Sequence, residues 1–139
     1  MAPGHGVRMR ADRRDSVSHF LASTLTSLEA AVGRAVKVIA LLKAQPGMSR
    51  EEFTHRWVED HAPFTLRFPR LKGYRLNVAI EEQEMSGELP YDGTAELWWD
   101  SLEDMRADFA SEEAAVAGAD ADSFTIVRQH IYTEEHVLL

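Results

Sequence analysis

Pro46-Gly47-Met48-Ser49-Arg50-Glu51-Glu52-Phe53, continued by Trp57 and closed by His61-Ala62-Pro63, sets the first helix of this chain and what that helix points at. Ser49 with Glu52 three residues on is a capping box, and Met48 and Phe53 flank it as a hydrophobic staple. From Phe53 the apolar stripe steps by four to Trp57 and by four again to His61, which puts the imidazole on the buried face. Ala62 precedes Pro63 and is biased away from helical geometry, so the helix is expected to break or kink just past His61. An inward-pointing histidine at such a break has two readings: it ties down the last helical carbonyls and completes the core, or it serves a ligand cavity.

The flanking segments supply the other elements. Val36 to Leu42 is a short, β-branched, nearly continuous apolar run that suits a strand covered on both faces. Helix one is expected from Arg50 to about Asp60, with Phe64 to Phe68 a further turn. Tyr74 to Ile80 alternates, with Tyr74, Leu76, Val78 and Ile80 on one face and Arg75 and Asn77 on the other. Glu81 to Tyr91 is acidic, carries Gly and Pro, and reads as a connection. Thr94 to Trp99 is a third strand, with Ala95, Leu97 and Trp99 opposite Glu96 and Trp98. Ser101 caps a second helix with apolar Met105 and Phe109, Ser111 restarts a short helix through Val116, and Phe124 to Tyr132 is the last strand.

The order β-α-β-β-α-β is an α+β arrangement, the ferredoxin-like split motif with an antiparallel sheet. With two helices on one face, the other face of such a sheet should be polar. Here Ile39, Leu41 and Trp98 are candidates for that second face, and an apolar patch there implies a partner. Two sheets packed face to face would bury it and leave a cavity between sheet and helices. A homodimer is the expected state.

Composition sets the outer limits. At 139 residues the chain holds one globular domain, and its 45% hydrophobic content is ordinary for a soluble protein. It contains no cysteine, which excludes disulfides, thiolate nucleophiles and cysteine-bound metals. The formal charge of −8 disfavours nucleic acid or an anionic membrane as a partner. No apolar run reaches the roughly 18–20 residues of a membrane span, and a reducing cytoplasm suits the composition. The domain is expected over residues 35–139. Residues 1–34 are read as an extension, polar, arginine-rich and disordered to Asp15 and then a short amphipathic helix from Ser18 to Val32. An export signal is not expected there, because the stretch lacks a continuous apolar core.

The six histidines do not make a metal site on spacing. His55 and His61 are six apart and lie far from one another around a helix, whereas two ligands on one face need a spacing of three or four. His55, four residues from both Glu51 and Glu59, is a surface helix pair. His130 on the last strand, beside Arg128 and Tyr132, either faces the cavity or is a half-buried strand residue. Glu96 interrupts an apolar strand and, if enclosed, needs a partner such as Arg75 or Arg128. Tyr74 and Asn77 offer polar atoms near the cavity. No phosphate-cradling glycine loop, dinucleotide fingerprint or nucleophilic triad is present, and no cofactor is indicated.

PGMSREEF, W, HAP, LKGYRLN and YDGTAELWWDS together resemble the EthD-domain family of dimeric α+β barrel proteins, over about Val36 to Tyr132. The resemblance implies a ferredoxin-like subunit that dimerises through its sheet and binds small, largely apolar organic ligands. It also implies cofactor-free chemistry on aromatics, lactones or polyketide-like compounds. His61 matches the family's candidate acid/base, Tyr74 a pocket-lining tyrosine, and Asp92 the aspartate that opens the DG segment, where a turn role is equally open. The mechanism this suggests is proton abstraction next to a carbonyl by His61, with Tyr74 and Asn77 steadying the enolate, followed by isomerisation, cyclisation or loss of water. Trp98, Glu96 and Asp92 complete the expected binding set. The alternatives are a non-catalytic carrier or an accessory to an oxygenase. Further alternatives are a cofactor-free quinol monooxygenase, or a haem barrel with His61 or His130 as axial ligand.

Overall fold

The computed structural model describes residues 34–80 and 89–139. The expected helix from Ser18 to Val32 and most of the Glu81-to-Tyr91 connection lie outside these residues. Strand β1 spans Val36–Ala44, β2 Gly73–Val78, β3 Gly93–Trp99 and β4 Thr125–Thr133. They form one antiparallel sheet in the order β2-β3-β1-β4, the arrangement a ferredoxin-like βαββαβ chain produces. The fold is α+β and ferredoxin-like.

Helix α1 (Arg50–His55) opens with the capping box. Ser49 Oγ accepts from Glu52 N at 3.1 Å, and Ser49 N donates to Glu52 Oε2 at 3.0 Å. The preceding turn passes through Gly47 at φ +84°, a backbone conformation that favours glycine.

The chain does not break past His61. It widens into a π-helical turn over Arg56–His61 and continues as α2 (Ala62–Thr65). Ala62 keeps helical dihedrals (φ −51°, ψ −37°), and its N–H donates five residues back to the Trp57 carbonyl. Pro63 sits just past the π turn, in the first turn of the resumed α-helix. The wide turn has a second effect. At about 3.6 residues per turn, each four-residue step overshoots one turn. The extra residue in the π turn cancels that drift, so Phe53, Trp57, His61 and also Thr65 all remain buried.

Helix α3 (Leu102–Phe109) is capped by Ser101, whose Oγ accepts from Asp104 N at 3.1 Å. Helix α4 begins after Ser111 as expected but runs through Glu112–Asp122, well past Val116. Its Ala-rich sequence carries a weak apolar stripe, and the helix is held by close packing of small residues such as Ala117 and Ala121 rather than by large anchors.

The inner face of the sheet carries Val38, Ala40, Leu42, Ala95, Leu97 and Trp99 in the alternation expected, covered by Phe53, Trp57, Met105 and Phe124. The fully buried Asp108 carboxylate accepts from Trp99 Nε1 at 2.7 Å and from Arg70 N at 3.1 Å.

Register places Lys37, Ile39 and Leu41 of β1 on the outer face, beside Glu96 and Trp98 of β3 and Gln129 and Ile131 of β4. Ile131 is 51% exposed there. Gly73 of β2 has no Cβ to meet the Trp98 ring, which lies directly across its Cα.

Candidate active site

Between the helices and the inner face of the sheet lies a cavity of about 290 Å³. The helical stripe supplies Trp57, His61 and Thr65, β2 supplies Tyr74, and β4 supplies Arg128, His130 and Tyr132. Small residues of α4, among them Ala117 and Gly118, form the wall that leaves the space open.

His61 sits at the end of the π turn with its imidazole 8% exposed. Its Nδ1 is 2.8 Å from Asp120 Oδ2 on α4. Asp120 is clamped by Arg56, whose Nη2 and Nη1 donate to Oδ1 at 2.6 Å and to Oδ2 at 3.1 Å. Arg56 also donates to Ser123 Oγ at 2.9 Å and stacks over the Phe124 ring. On the other side of the imidazole, Thr65 Oγ1 is 3.4 Å from Nε2, and the Tyr74 hydroxyl lies near Thr65. The result is a polar line, Tyr74–Thr65–His61–Asp120–Arg56, crossing an otherwise apolar interior.

Electrostatics assign the protons along that line. Burial pushes the His61 pKa below 6.5, and it outweighs the hydrogen bond and charge of Asp120, which act the other way. Burial raises the Asp120 pKa, but hydrogen bonds from Arg56 and His61 overcome it and hold the carboxyl below its usual range. An ionised carboxylate only accepts, so His61 Nδ1 carries the proton and Nε2 is the unprotonated nitrogen, next to the Thr65 hydroxyl. Burial raises the Tyr74 pKa, which keeps that hydroxyl protonated. The arrangement is an oriented base, with the Tyr74 hydroxyl on the same cavity wall.

The other expected site residues are divided by strand parity. Tyr74 lines the cavity. Asn77, three residues on, points to the opposite face, where its Nδ2 donates to Glu96 Oε2 and Thr94 Oγ1 at 3.0 and 3.1 Å. It does not reach His61, because successive strand side chains alternate faces. Glu96 is also on the outer face. Its cationic partner is Lys37 at 3.0 Å, not Arg75 or Arg128, and the Asn77 hydrogen bond followed by Lys37 lowers its pKa. Trp98 lies beside them, with the Lys37 ammonium and Arg75 guanidinium over its ring. Asp92 ties a turn: Oδ2 accepts from Ala44 N, and Asp92 N donates to Leu42 O, both at 2.7 Å. His130 faces the cavity with its ring 5.9 Å from Phe109. Desolvation, and then the Arg128 charge, lower its pKa.

Asp120, Arg56 and Thr65 are site residues that sequence reasoning passed over. Thr65 had a signal, as the next four-residue step after Phe53, Trp57 and His61. Asp120 had none, being 59 residues from its partner on a helix expected to have ended. Among the described residues, no group of three His, Asp or Glu is placed to hold a metal ion, and no helix is long and apolar enough to cross a membrane.

The EthD-domain profile matches residues 45–126. Among solved structures, an EthD-family protein from Bacillus halodurans C-125 is 25% identical, with a TM-score of 0.63 over 73% of this chain and 99% of its own. A dimeric ferredoxin-like protein from Thermobifida fusca YX is 16% identical, with a TM-score of 0.58 over 73% of this chain and 91% of its own. SnoaB, a cofactor-independent oxygenase from Streptomyces nogalater, is 13% identical, with a TM-score of 0.55 over 76% of this chain and 97% of its own. The last two likenesses establish the shared fold. No curated protein matches the sequence.

Proposed function

This chain belongs to the EthD-domain family, and from that premise we propose that it is a cofactor-independent enzyme that moves a proton on a small, largely apolar carbonyl compound. The observation that carries the reading is the neutral, buried His61 fixed by Asp120 at the wall of the cavity. In this mechanism Nε2 takes a proton from the carbon next to a carbonyl, and the electron pair moves onto the carbonyl oxygen as an enolate. The imidazolium formed is stabilised by the Asp120 carboxylate, and the Tyr74 hydroxyl donates to the enolate oxygen. Return of the proton at a different carbon completes an isomerisation. Expulsion of a leaving group, or attack of the enolate on a second carbonyl, gives elimination or cyclisation.

The proposal includes a homodimer that buries the outer face through Ile39, Leu41 and Ile131 and closes an α+β barrel. Exposed aliphatic surface on one face of the sheet supports it, as does the dimeric state of the ferredoxin-like relative. The domain of residues 35–139 would be the catalytic unit.

The test needs no prior substrate. Lactones, phenolic ketones and related carbon acids are incubated with protein in heavy water, and deuterium uptake at carbon is followed by NMR. The account expects exchange catalysed by wild type and lost in His61→Ala. Exchange at equal rates in both proteins would overturn the assignment of His61. Binding without exchange would indicate a carrier.

A further inference from the structure

The cavity has an electrostatic character opposite to that of the chain. The protein carries 23 acidic against 15 basic residues. Yet no aspartate or glutamate is among the described residues lining the cavity; the ionisable side chains there are Arg128, two histidines and two tyrosines. Burial and desolvation push both histidines down, so at neutral pH Arg128 supplies the fixed charge of the wall. Its field reaches both imidazoles, since its charge lowers the pKa of each.

Arg128 is held for this. It stands on β4 next to His130, and its guanidinium lies across Gly118 of α4, where a Cβ would come to 3.5 Å from Nη2. Its side chain lines the cavity and is 27% exposed. Its partner is Asp122, with Nη2 at 3.0 Å and Nε at 3.4 Å from Oδ1, and the Asp122 side chain is 69% exposed. An ion pair to so exposed a carboxylate is weak and readily exchanged for a better-placed anion. A planar guanidinium over a low-dielectric cavity suits a carboxylate, which it can hold by two parallel hydrogen bonds.

We infer that the substrate class is a small carboxylic acid with an apolar body, bound with its carboxylate on Arg128 and its apolar body along the cavity toward His61. This rests on the catalytic reading above and specifies its ligand.

The experiment is calorimetric titration of the full chain with 1-naphthoate and with its uncharged isostere 1-naphthamide, at neutral pH, using wild type, Arg128→Met, Arg128→Lys and His61→Ala. Wild type is expected to bind the carboxylate about tenfold tighter than the amide, the effect of one charge-assisted hydrogen bond. Arg128→Met should remove the preference while still binding the amide, Arg128→Lys should keep part of it, and His61→Ala should keep it. Equal binding of the two probes, binding of neither, or an unchanged preference in Arg128→Met would overturn the inference. If Arg128→Met does not fold, Arg128→Lys decides, because an undiminished preference there contradicts bidentate recognition. Failure of the catalytic reading is seen separately, as absent deuterium exchange in wild type alongside an intact carboxylate preference.

Discussion

His61 Nδ1 and Asp120 Oδ2 lie 2.8 Å apart, joining the π turn of the first helix to the last turn of α4. The contact fixes the tautomer of a buried imidazole and leaves Nε2, beside the Thr65 hydroxyl, as its unprotonated nitrogen. Two consequences are measurable on Asp120 itself. Asp120→Asn keeps the size of the side chain but removes the charge that stabilises an imidazolium. Turnover is expected to fall on the order of 10²-fold, with the His61 pKa moving further down. Retained turnover in Asp120→Asn would mean that the carboxylate does not assist the base.

The pH dependence follows from the direction of the His61 shift. Its folded pKa lies below 6.5, so the unfolded chain binds more protons than the native one in the interval between the two values. The contribution of neutral His61 is therefore present above 6.5 and is lost as pH falls through that interval. His130 is shifted the same way. Melting temperature is expected to decline between about pH 7 and pH 5, less steeply in His61→Gln. The acid limb of any pH–rate profile should also fall below 6.5. A profile whose acid limb lies above neutrality would be inconsistent with a depressed histidine.

The outer face predicts an assembly phenotype. Burying an isoleucine is worth about 1.5–3 kcal/mol, and in a two-fold dimer every substitution appears twice. Ile39→Glu combined with Ile131→Glu is expected to weaken dimerisation by at least about 100-fold. Sedimentation velocity should show a monomer where wild type sediments as a dimer. Wild type sedimenting as a monomer would remove the closed barrel from the account.

A stability prediction concerns Asp108. Its carboxylate is fully buried and satisfies the Trp99 indole N–H, so Asp108→Ala strands a donor in the core and opens space. A loss of roughly 3 kcal/mol is expected in urea unfolding. A loss under 1 kcal/mol would show that water or local rearrangement satisfies the indole.

Much of this architecture is legible in one sequence because its signals are local. Ser49 and Glu52 announce the helix start, and Ala95, Leu97 and Trp99 state their face by alternation. Asn77 illustrates a rule that was available: it stands at odd spacing from Tyr74, so period-two geometry already separates it from the cavity. The π turn was not legible, because Ala62 before Pro63 signals a local break, while the continuous buried stripe through Thr65 is a tertiary preference that overrides it. Asp120 was hidden for a related reason. An alanine-rich helix carries little apolar periodicity, so its length, and the acid it brings to His61, are set by packing across the fold. The charge on the cavity wall likewise depends on which strand residues share a face with α4, and no sequence spacing encodes that.

The most direct test of the central claim is an NMR titration of the His61 imidazole in wild-type protein, following ring nitrogen and carbon shifts with pH. The account predicts a pKa below 6.5 and, at neutral pH, a neutral ring with its proton on Nδ1 and an unprotonated Nε2. A pKa at or above 6.5, or a neutral ring protonated on Nε2, would contradict it, because His61 would then lack the free base that the proposed chemistry requires.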